Sequence, residues 1–292
     1  MQLRKNEKWT IAYRKKTPGK TLIEDTKSVF TPVPNTWRYW RADPFLFEKD
    51  GKTYLFAELF DRIKGRGVLG YCELSHHAPQ KWEIIIEEPH HLSYPFLFQQ
   101  EDGIYLIPES FESGKLTLYR AVRFPDRWEQ VRNLADMVAV DSTIVDTAAG
   151  SYLITVRIEN GEAELAVMDL NSQLEPKNVR VVSEKGDPNI RPAGNLFSLQ
   201  DRLIRPAQDC TRSYGYGLNF YHVSALDQVH YCEELICKVL PEDVHVRGIR
   251  KLHGIHTYNF TDRYEVTDFK VYEFGIVGKI AKVLRYLTGR SR

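Results

Sequence analysis

Apolar residues in this chain fall mostly into short runs broken by turn residues, with little helical spacing. Asp43-Pro44-Phe45-Leu46-Phe47 leads through Asp50-Gly51 to Tyr54-Leu55-Phe56-Ala57-Glu58. Two apolar segments flanking Asp-Gly predict a β-hairpin. The arrangement returns at Tyr94-Pro95-Phe96-Leu97-Phe98, with Asp102-Gly103 and then Tyr105-Leu106-Ile107-Pro108-Glu109. It returns again at Asp141-Ser142-Thr143-Ile144-Val145, with Gly150 and then Tyr152-Leu153-Ile154-Thr155-Val156. In all three copies the first and last residues lie fifteen apart. Weaker copies start at Ala193, with Leu203-Ile204, and at His256, with Tyr264-Glu265-Val266. Starts near 43, 94, 141, 193 and 256 define a period of about 50 residues, that of a four-stranded propeller blade.

Each unit also contains a third strand, at 67–72, 116–119, 163–167, 216–220 and 269–273. A tryptophan opens a fourth strand at Trp82 and at Trp128. No fourth strand is visible in the fifth unit, but Trp9-Thr10-Ile11-Ala12-Tyr13 is of the same type. It is expected to close the ring beside the strand ending near Glu273, which removes two open sheet edges. The predicted architecture is therefore all-β: a five-bladed β-propeller of four-stranded blades over residues 1–276. Helical spacing is confined to the end, where Ile280, Val283, Leu284 and Leu287 share one face. Lys279, Lys282, Arg285, Arg290 and Arg292 accompany them without an acidic residue. A short basic amphipathic helix over 277–292 follows, either lying on an anionic membrane surface or packed on the propeller.

Composition changes this picture little. The chain has 292 residues, 42% hydrophobic and 12% aromatic, enough for a large core. A net charge of +1 provides no field for nucleic acid. The four cysteines show no CxxC spacing, as expected of reduced thiols in a cytoplasmic protein. The first residues lack the apolar stretch of a signal peptide, and no apolar run reaches the ~18 residues of a membrane span. No cofactor motif is present: Gly65-Arg66-Gly67 and Tyr214-Gly215-Tyr216-Gly217 read as turns, not phosphate loops. The pairs His76-His77 and His90-His91 read as loop histidines, since adjacent side chains on an extended chain point apart.

The innermost strand of each blade lines the propeller channel, so aligned residues should converge there. They are Asp43, Tyr94, Asp141, Arg191 to Ala193, and His256. Fifteen residues on stand Glu58 and Glu109, with Gln208 and Asp209 slightly displaced in the fourth blade. Trp40, Arg41, Arg205 and Tyr214 lie within the same motifs, and Trp37, Tyr39 and Tyr258 add aromatic surface. Carboxylates are costly to bury without partners. A polar, aromatic-walled sugar site or a structural ring of Asp–Arg pairs would each account for them. A divalent ion held by His253, His256, Asp209 and Asp43 is a further alternative.

These motifs carry a resemblance. Trp40-Arg-Ala-Asp-Pro-Phe-Leu-Phe47, Leu92-Ser-Tyr-Pro-Phe-Leu-Phe98, Ile107-Pro-Glu-Ser110, Val140-Asp-Ser-Thr143 and Arg205-Pro-Ala-Gln-Asp-Cys210 with Tyr214-Gly215 span most of the chain. They resemble the propeller domain of the glucosamine inositolphosphorylceramide transferase N-terminal type. That resemblance implies a five-bladed propeller with a role in glycan or glycolipid assembly. In its plant members a separate transferase domain is present, so a partner glycosyltransferase is implied too. A more distant resemblance is to family 43 glycosidase-like propellers, in which an inner-strand Asp is the general base and a Glu the general acid. Asp43 is similar to that base. The pattern is broken at Tyr94 and at Asp141, where an aspartate and a glutamate are expected.

Three functions compete. In the first, the chain is an enzyme acting on glycosidic bonds, with Asp43 as base and Glu109 or Asp141 as acid. Trp40, Arg41, Glu58, Tyr94, Arg191, Arg205, Gln208, Asp209, Tyr214 and His256 would bind the substrate. The many arginines favour a phosphorylated, nucleotide-linked or acidic sugar. In the second, a non-catalytic module presents a glycan to a partner transferase. The third is a protein-interaction propeller without a sugar site.

Overall fold

The computed structural model describes residues 6–75 and 81–273. The expected helix over 277–292 lies outside the described residues. The chain opens with β1 (Asn6–Lys15) and β2 (Thr31–Pro32). Blade one follows as β3 (Tyr39–Lys49), β4 (Lys52–Asp61), β5 (Arg66–Leu74) and β6 (Glu83–Ile86). Blade two holds β7 (Ser93–Gln100), β8 (Gly103–Glu109), β9 (Leu116–Arg123) and β10 (Arg127–Ala135). Blade three holds β11 (Val138–Thr147), β12 (Gly150–Glu159), β13 (Glu162–Leu170) and β14 (Pro176–Val181). Blade four holds β15 (Phe197–Leu199), β16 (Arg202–Asp209), β17 (Gly217–Leu226) and β18 (Tyr231–Val239), and the described residues end with β19 (Tyr258–Phe260) and β20 (Tyr264–Glu273). Each blade is an antiparallel meander, and the fifth has the order β19-β20-β1-β2.

β1 pairs with β20 along its whole length, Asn6 opposite Glu273 and Lys15 opposite Tyr264. The N-terminal strand closes the ring as expected, but in the third place of its blade; β2 is outermost. The expected third strand at 269–273 is the second half of β20. The reason is a short hairpin: only residues 261–263 separate β19 from β20. The second strand therefore starts early and runs on to Glu273.

The core fills the seams between blades. Phe45, Phe56, Tyr94, Phe96 and Leu106 pack between blades one and two, and Phe30, Leu218, Phe220, Tyr258 and Phe269 between four and five. The innermost strands begin, and the second strands end, on one face, here called the site face. At that end β3, β7 and β11 carry the same irregularity. Their ladders slip between Ala42 and Phe45, Ser93 and Phe96, and Val140 and Thr143. At each slip one residue takes left-handed backbone: Asp43 (φ 51), Tyr94 (φ 44) and Asp141 (φ 53). A β-bulge re-aims a side chain, and a non-glycine residue held there costs about 1–3 kcal/mol. Three copies at one level of the channel mark the place where the repeat departs from regular sheet.

Candidate active site

The three bulges turn different groups to the axis. Tyr94 is fully buried; Gly194 N donates to its hydroxyl at 2.8 Å, and Thr143 Oγ1 lies 3.1 Å away. The phenol thus ties blades two, three and four together across the axis, beside the axial carboxyls.

On one side stands Asp43. Thr257 Oγ1 donates to its Oδ1 at 2.9 Å, and Tyr94 N to its Oδ2 at 3.3 Å. His256 Nε2 lies 3.6 Å from Oδ1. Asp268 organises this group. It accepts from the backbone N–H of Asp43 (2.9 Å), His256 (3.1 Å) and Thr257 (3.0 Å), and its Oδ2 is 2.7 Å from His256 Nδ1. Trp9 stacks on the imidazole, centroids 3.7 Å apart and planes at 6°. Tyr214 meets the same imidazole edge-on. Lys270 donates to the Tyr214 carbonyl at 2.7 Å and holds that loop.

Across the axis Arg191 links two carboxyls. Its Nε donates to Asp141 Oδ2 at 2.7 Å and its Nη2 to Glu109 Oε2 at 3.2 Å. Gln208 Nε2 donates to Asp141 at 3.1 Å. The Tyr214 ring lies 5.1 Å from the guanidinium carbon. Glu58 ends the set: it is buried, His91 Nε2 is 3.4 Å from its Oε1, and that oxygen makes no hydrogen bond among the described residues.

Burial sets the charges. It pushes Asp43 up to about 6, with His256 opposing and Asp268 and Asp141 assisting. Burial and then Asp141 hold Glu109 well above its usual range against the pull of Arg191. Burial and then Asp43 do the same for Glu58, with no cation opposing them. For His256 burial works downward but is outweighed by Asp268, so the value is raised. The site therefore sets Asp43, shifted up to about 6, beside Glu109, held well above the usual glutamate range, a separation of the kind acid–base chemistry uses.

The raised Glu109 has a measurable consequence. A carboxyl whose folded pKa exceeds its unfolded one binds more protons when folded. Its stabilisation is complete below the ordinary glutamate range and is lost as pH rises through the folded value. Glu109→Gln keeps the neutral shape, so the variant should gain stability relative to the parent between about pH 5 and 8. Urea midpoints across that range check this; a constant difference contradicts it.

Residues 33–263 match the family model described as Glucosamine inositolphosphorylceramide transferase 1, N-terminal. The chain belongs to this family. Glucosamine inositolphosphorylceramide transferase 1 of Arabidopsis thaliana is 32% identical over 230 residues, 75% of this chain and 30% of that protein. The protein of the same name from Oryza sativa subsp. japonica is 32% identical over 203 residues, 66% of this chain and 27% of that one. The chain thus spans under a third of the length of these relatives. Among solved structures, the α-L-arabinofuranosidase of Podospora anserina, in complex with cellotriose, superposes with a TM-score of 0.61 at 10% identity, covering 90% of this chain and 97% of that one. The GH43_1 enzyme of Xanthomonas citri complexed with xylotriose gives 0.57 at 11% identity, covering 82% and 88%. At such identities these likenesses concern the fold.

Within this member of the transferase N-terminal family, Asp43, Glu58, Tyr94, Glu109, Asp141, Arg191, Gln208, Tyr214 and His256 are brought to one axial site. Arg205 and Asp209 are not. Alternate strand residues face opposite sides, and Gln208 takes the channel side of β16. Arg205 instead grips Glu233 with Nε at 2.7 Å and Nη2 at 2.6 Å. Asp209 accepts from Thr211 and lies 3.6 Å from Lys238. Arg41 also points away: it donates to the Pro34 carbonyl and lies over Trp82. The bulge at Asp43 breaks the alternation that would have put the two on one side. Trp40 stacks on Phe60 at 4.5 Å, at the rim beside Glu58. The expected ion ligands are also dispersed, His253 lying against Tyr272 and Asp209 facing the other side of its sheet. Asp43, His256 and Asp268 do each offer an atom within 4.8 Å of the others, a set that could hold a cation, although hydrogen bonds already engage these atoms.

Three residues escaped the sequence reading: Asp268, Thr257 and Trp9. Asp268 stands opposite Thr257, as Glu58 stands opposite Ala42 and Glu109 opposite Ser93. It follows His256 by 12 residues, so a fixed spacing of fifteen passes it over. Trp9 is hidden for another reason: its strand reaches the site only through ring closure.

Proposed function

We propose that the chain is a carbohydrate-active protein of glycan or glycolipid assembly that acts on the glycosidic bond of an anionic sugar, by transfer or hydrolysis. One observation carries this reading. Arg191, its guanidinium over the Tyr214 ring and its side chain 28% exposed, spans Asp141 and Glu109 beside the buried Asp43 on the propeller axis. Its Nε and Nη2 are engaged, while Nη1 has no hydrogen-bond partner among the described residues and is the donor left for a ligand oxygen. A phosphate or carboxylate on the sugar suits a guanidinium. In this reading Asp43 takes the proton of the attacking hydroxyl or water, and Glu109, paired with Asp141, gives one to the leaving oxygen. Tyr214 supplies a ring face for the sugar. The four unpaired cysteines suit a reducing compartment, and we place the protein in the cytoplasm.

A second reading is a non-catalytic module that presents the sugar to a partner transferase. The departures from the glycosidase pattern at Tyr94 and Asp141 favour it. Calorimetric titration tests what both readings share. Uridine-diphosphate sugars or uronic-acid oligosaccharides should bind about 10- to 100-fold more tightly than neutral xylotriose, the worth of one charge-assisted contact. Equal binding of neutral and anionic sugars removes Arg191 from the account.

A further inference from the structure

Two buried arginines of this propeller are matched by carboxylates: Arg14 grips Glu265 and Arg205 grips Glu233. A third, Arg41, is not. It is 4% exposed and pairs with no carboxylate among the described residues. Its Nη1 donates to the Pro34 carbonyl at 2.7 Å, and its guanidinium carbon lies 4.9 Å from the centre of the Trp82 ring. Its Nε is buried and has no hydrogen-bond partner among the described residues. Burial pulls its pKa below the usual arginine value, and only the Cys72 thiol opposes the shift. Taking a cation out of water is costly, and one carbonyl and a ring face offset only part of that cost.

This cation stands beside a cavity. Arg41 is opposite Leu59 on β4, and Leu59 shares its side of the strand with Leu55 and Ala57, which pack with Ile11 and Tyr264 of blade five. Arg41 therefore faces the seam with blade five, whereas the bulge two residues on turns Asp43 to the axis. In that seam it lines a cavity of about 380 Å³ with Tyr39, Leu59, Lys81, Trp82 and Ile84. Lys81 is exposed and makes no ion pair among the described residues. None of the residues lining the cavity is acidic, and the nearby Asp61 and Glu87 are engaged by Arg38 and Lys64. Most of the remaining wall is aromatic or aliphatic. A guanidinium stacked on an indole keeps its in-plane N–H groups for oxygen atoms.

We propose that this cavity is an anionic-sugar site separate from the axial cluster, in which Arg41 and Lys81 take the carboxylate or phosphate of one sugar residue and Tyr39, Leu59 and Trp82 take the apolar face of its ring. The unmatched guanidinium is the reason for an anion. The dimensions are the reason for a sugar: a bare phosphate would leave most of the cavity, and all of its apolar wall, uncovered. The proposal stands apart from the chemistry assigned to Asp43, Glu109 and Arg191.

Calorimetric titration of the full chain with glucuronate, glucose 1-phosphate, glucose and inorganic phosphate tests it. One of the two sugar anions should bind about 10-fold or more tighter than glucose, the worth of one charge-assisted contact, and tighter than inorganic phosphate. The preferred one identifies the group that Arg41 takes. Arg41→Met should abolish this binding. Lys81→Gln, at an exposed position, should weaken it about 2- to 5-fold. Arg191→Gln should retain it, which separates this site from the axial cluster. Binding that is unchanged in Arg41→Met, lost in Arg191→Gln, or equally tight for glucose or inorganic phosphate overturns the proposal, as does no binding. Should Arg41→Met fail to fold, unchanged affinity in Lys81→Gln overturns it.

Discussion

Asp43→Asn is expected to fold, to retain ligand and to lose turnover by about 10²- to 10⁴-fold, the contribution of a positioned general base. Folding survives because asparagine keeps one acceptor for Thr257 Oγ1, the shorter of the two bonds made to this side chain at 2.9 Å. The other, from Tyr94 N, is long at 3.3 Å, and facing it with an amide costs about 1–3 kcal/mol. What the substitution removes is the proton acceptor. Asp43 titrates near 6, so parent activity should rise through about that pH and the variant should show no such limb. Turnover of nucleotide-sugars, followed by product formation across pH, checks this. Undiminished turnover in Asp43→Asn eliminates Asp43 as the base. Ligand binding by both proteins with product from neither transfers the account to the presenting module.

Arg191→Gln should lower stability substantially. Arg191, its own side chain 28% exposed, is the cation that spans the buried Asp141 and Glu109, and removing one partner of such a pair costs up to about 3–5 kcal/mol. For a chain of this size that is a fall of roughly 10 °C in Tm. The loss should depend on pH. Without the guanidinium, the influence that lowers the Glu109 pKa disappears while burial and Asp141 still raise it. More protonation is then retained on folding, so the variant is most impaired at alkaline pH and recovers toward acid. Its affinity for anionic sugars should fall with it, whereas a purely structural Arg191 would leave affinity unchanged in the fraction that is folded. Thermal melts at about pH 5 and 8, with titration of a uridine-diphosphate sugar at the lower pH, separate the two outcomes.

The propeller was legible because each blade repeats one hairpin with the same spacing, and the three strong copies fixed where the axis would be. Repetition reports position along the chain, however, and not the side of the sheet. Arg205 and Asp209 lie beside Gln208 in sequence yet face the other way, since parity decides orientation on a regular strand. The left-handed residues at 43, 94 and 141 disturb that parity locally, which is why Arg41 and Asp43 diverge. Asp268 was obscured by a hairpin shorter than its siblings. Trp9 became a site residue only through ring closure, which stacks it on His256, and Thr257 only through its bond to Asp43 of the first innermost strand; no local pattern encodes either. Glu58 and His91 are a milder case: a loop histidine became the neighbour of a buried carboxyl because Gly67, whose N–H donates to His91 Nδ1, leaves room for Glu58 and the Leu92 carbonyl.

The account as a whole rests on the axial cluster of Asp43, Glu109, Asp141 and Arg191 being the place where an anionic sugar binds. A crystal of the protein soaked with a uridine-diphosphate sugar and with a uronic-acid oligosaccharide examines that directly. The predicted result is density between Asp43 and Glu109, with a phosphate or carboxylate on Arg191 Nη1 and a sugar ring against Tyr214. Ligand found instead in the cleft of about 380 Å³ lined by Lys15, Lys52 and Arg263 at the opposite end of the propeller would contradict it.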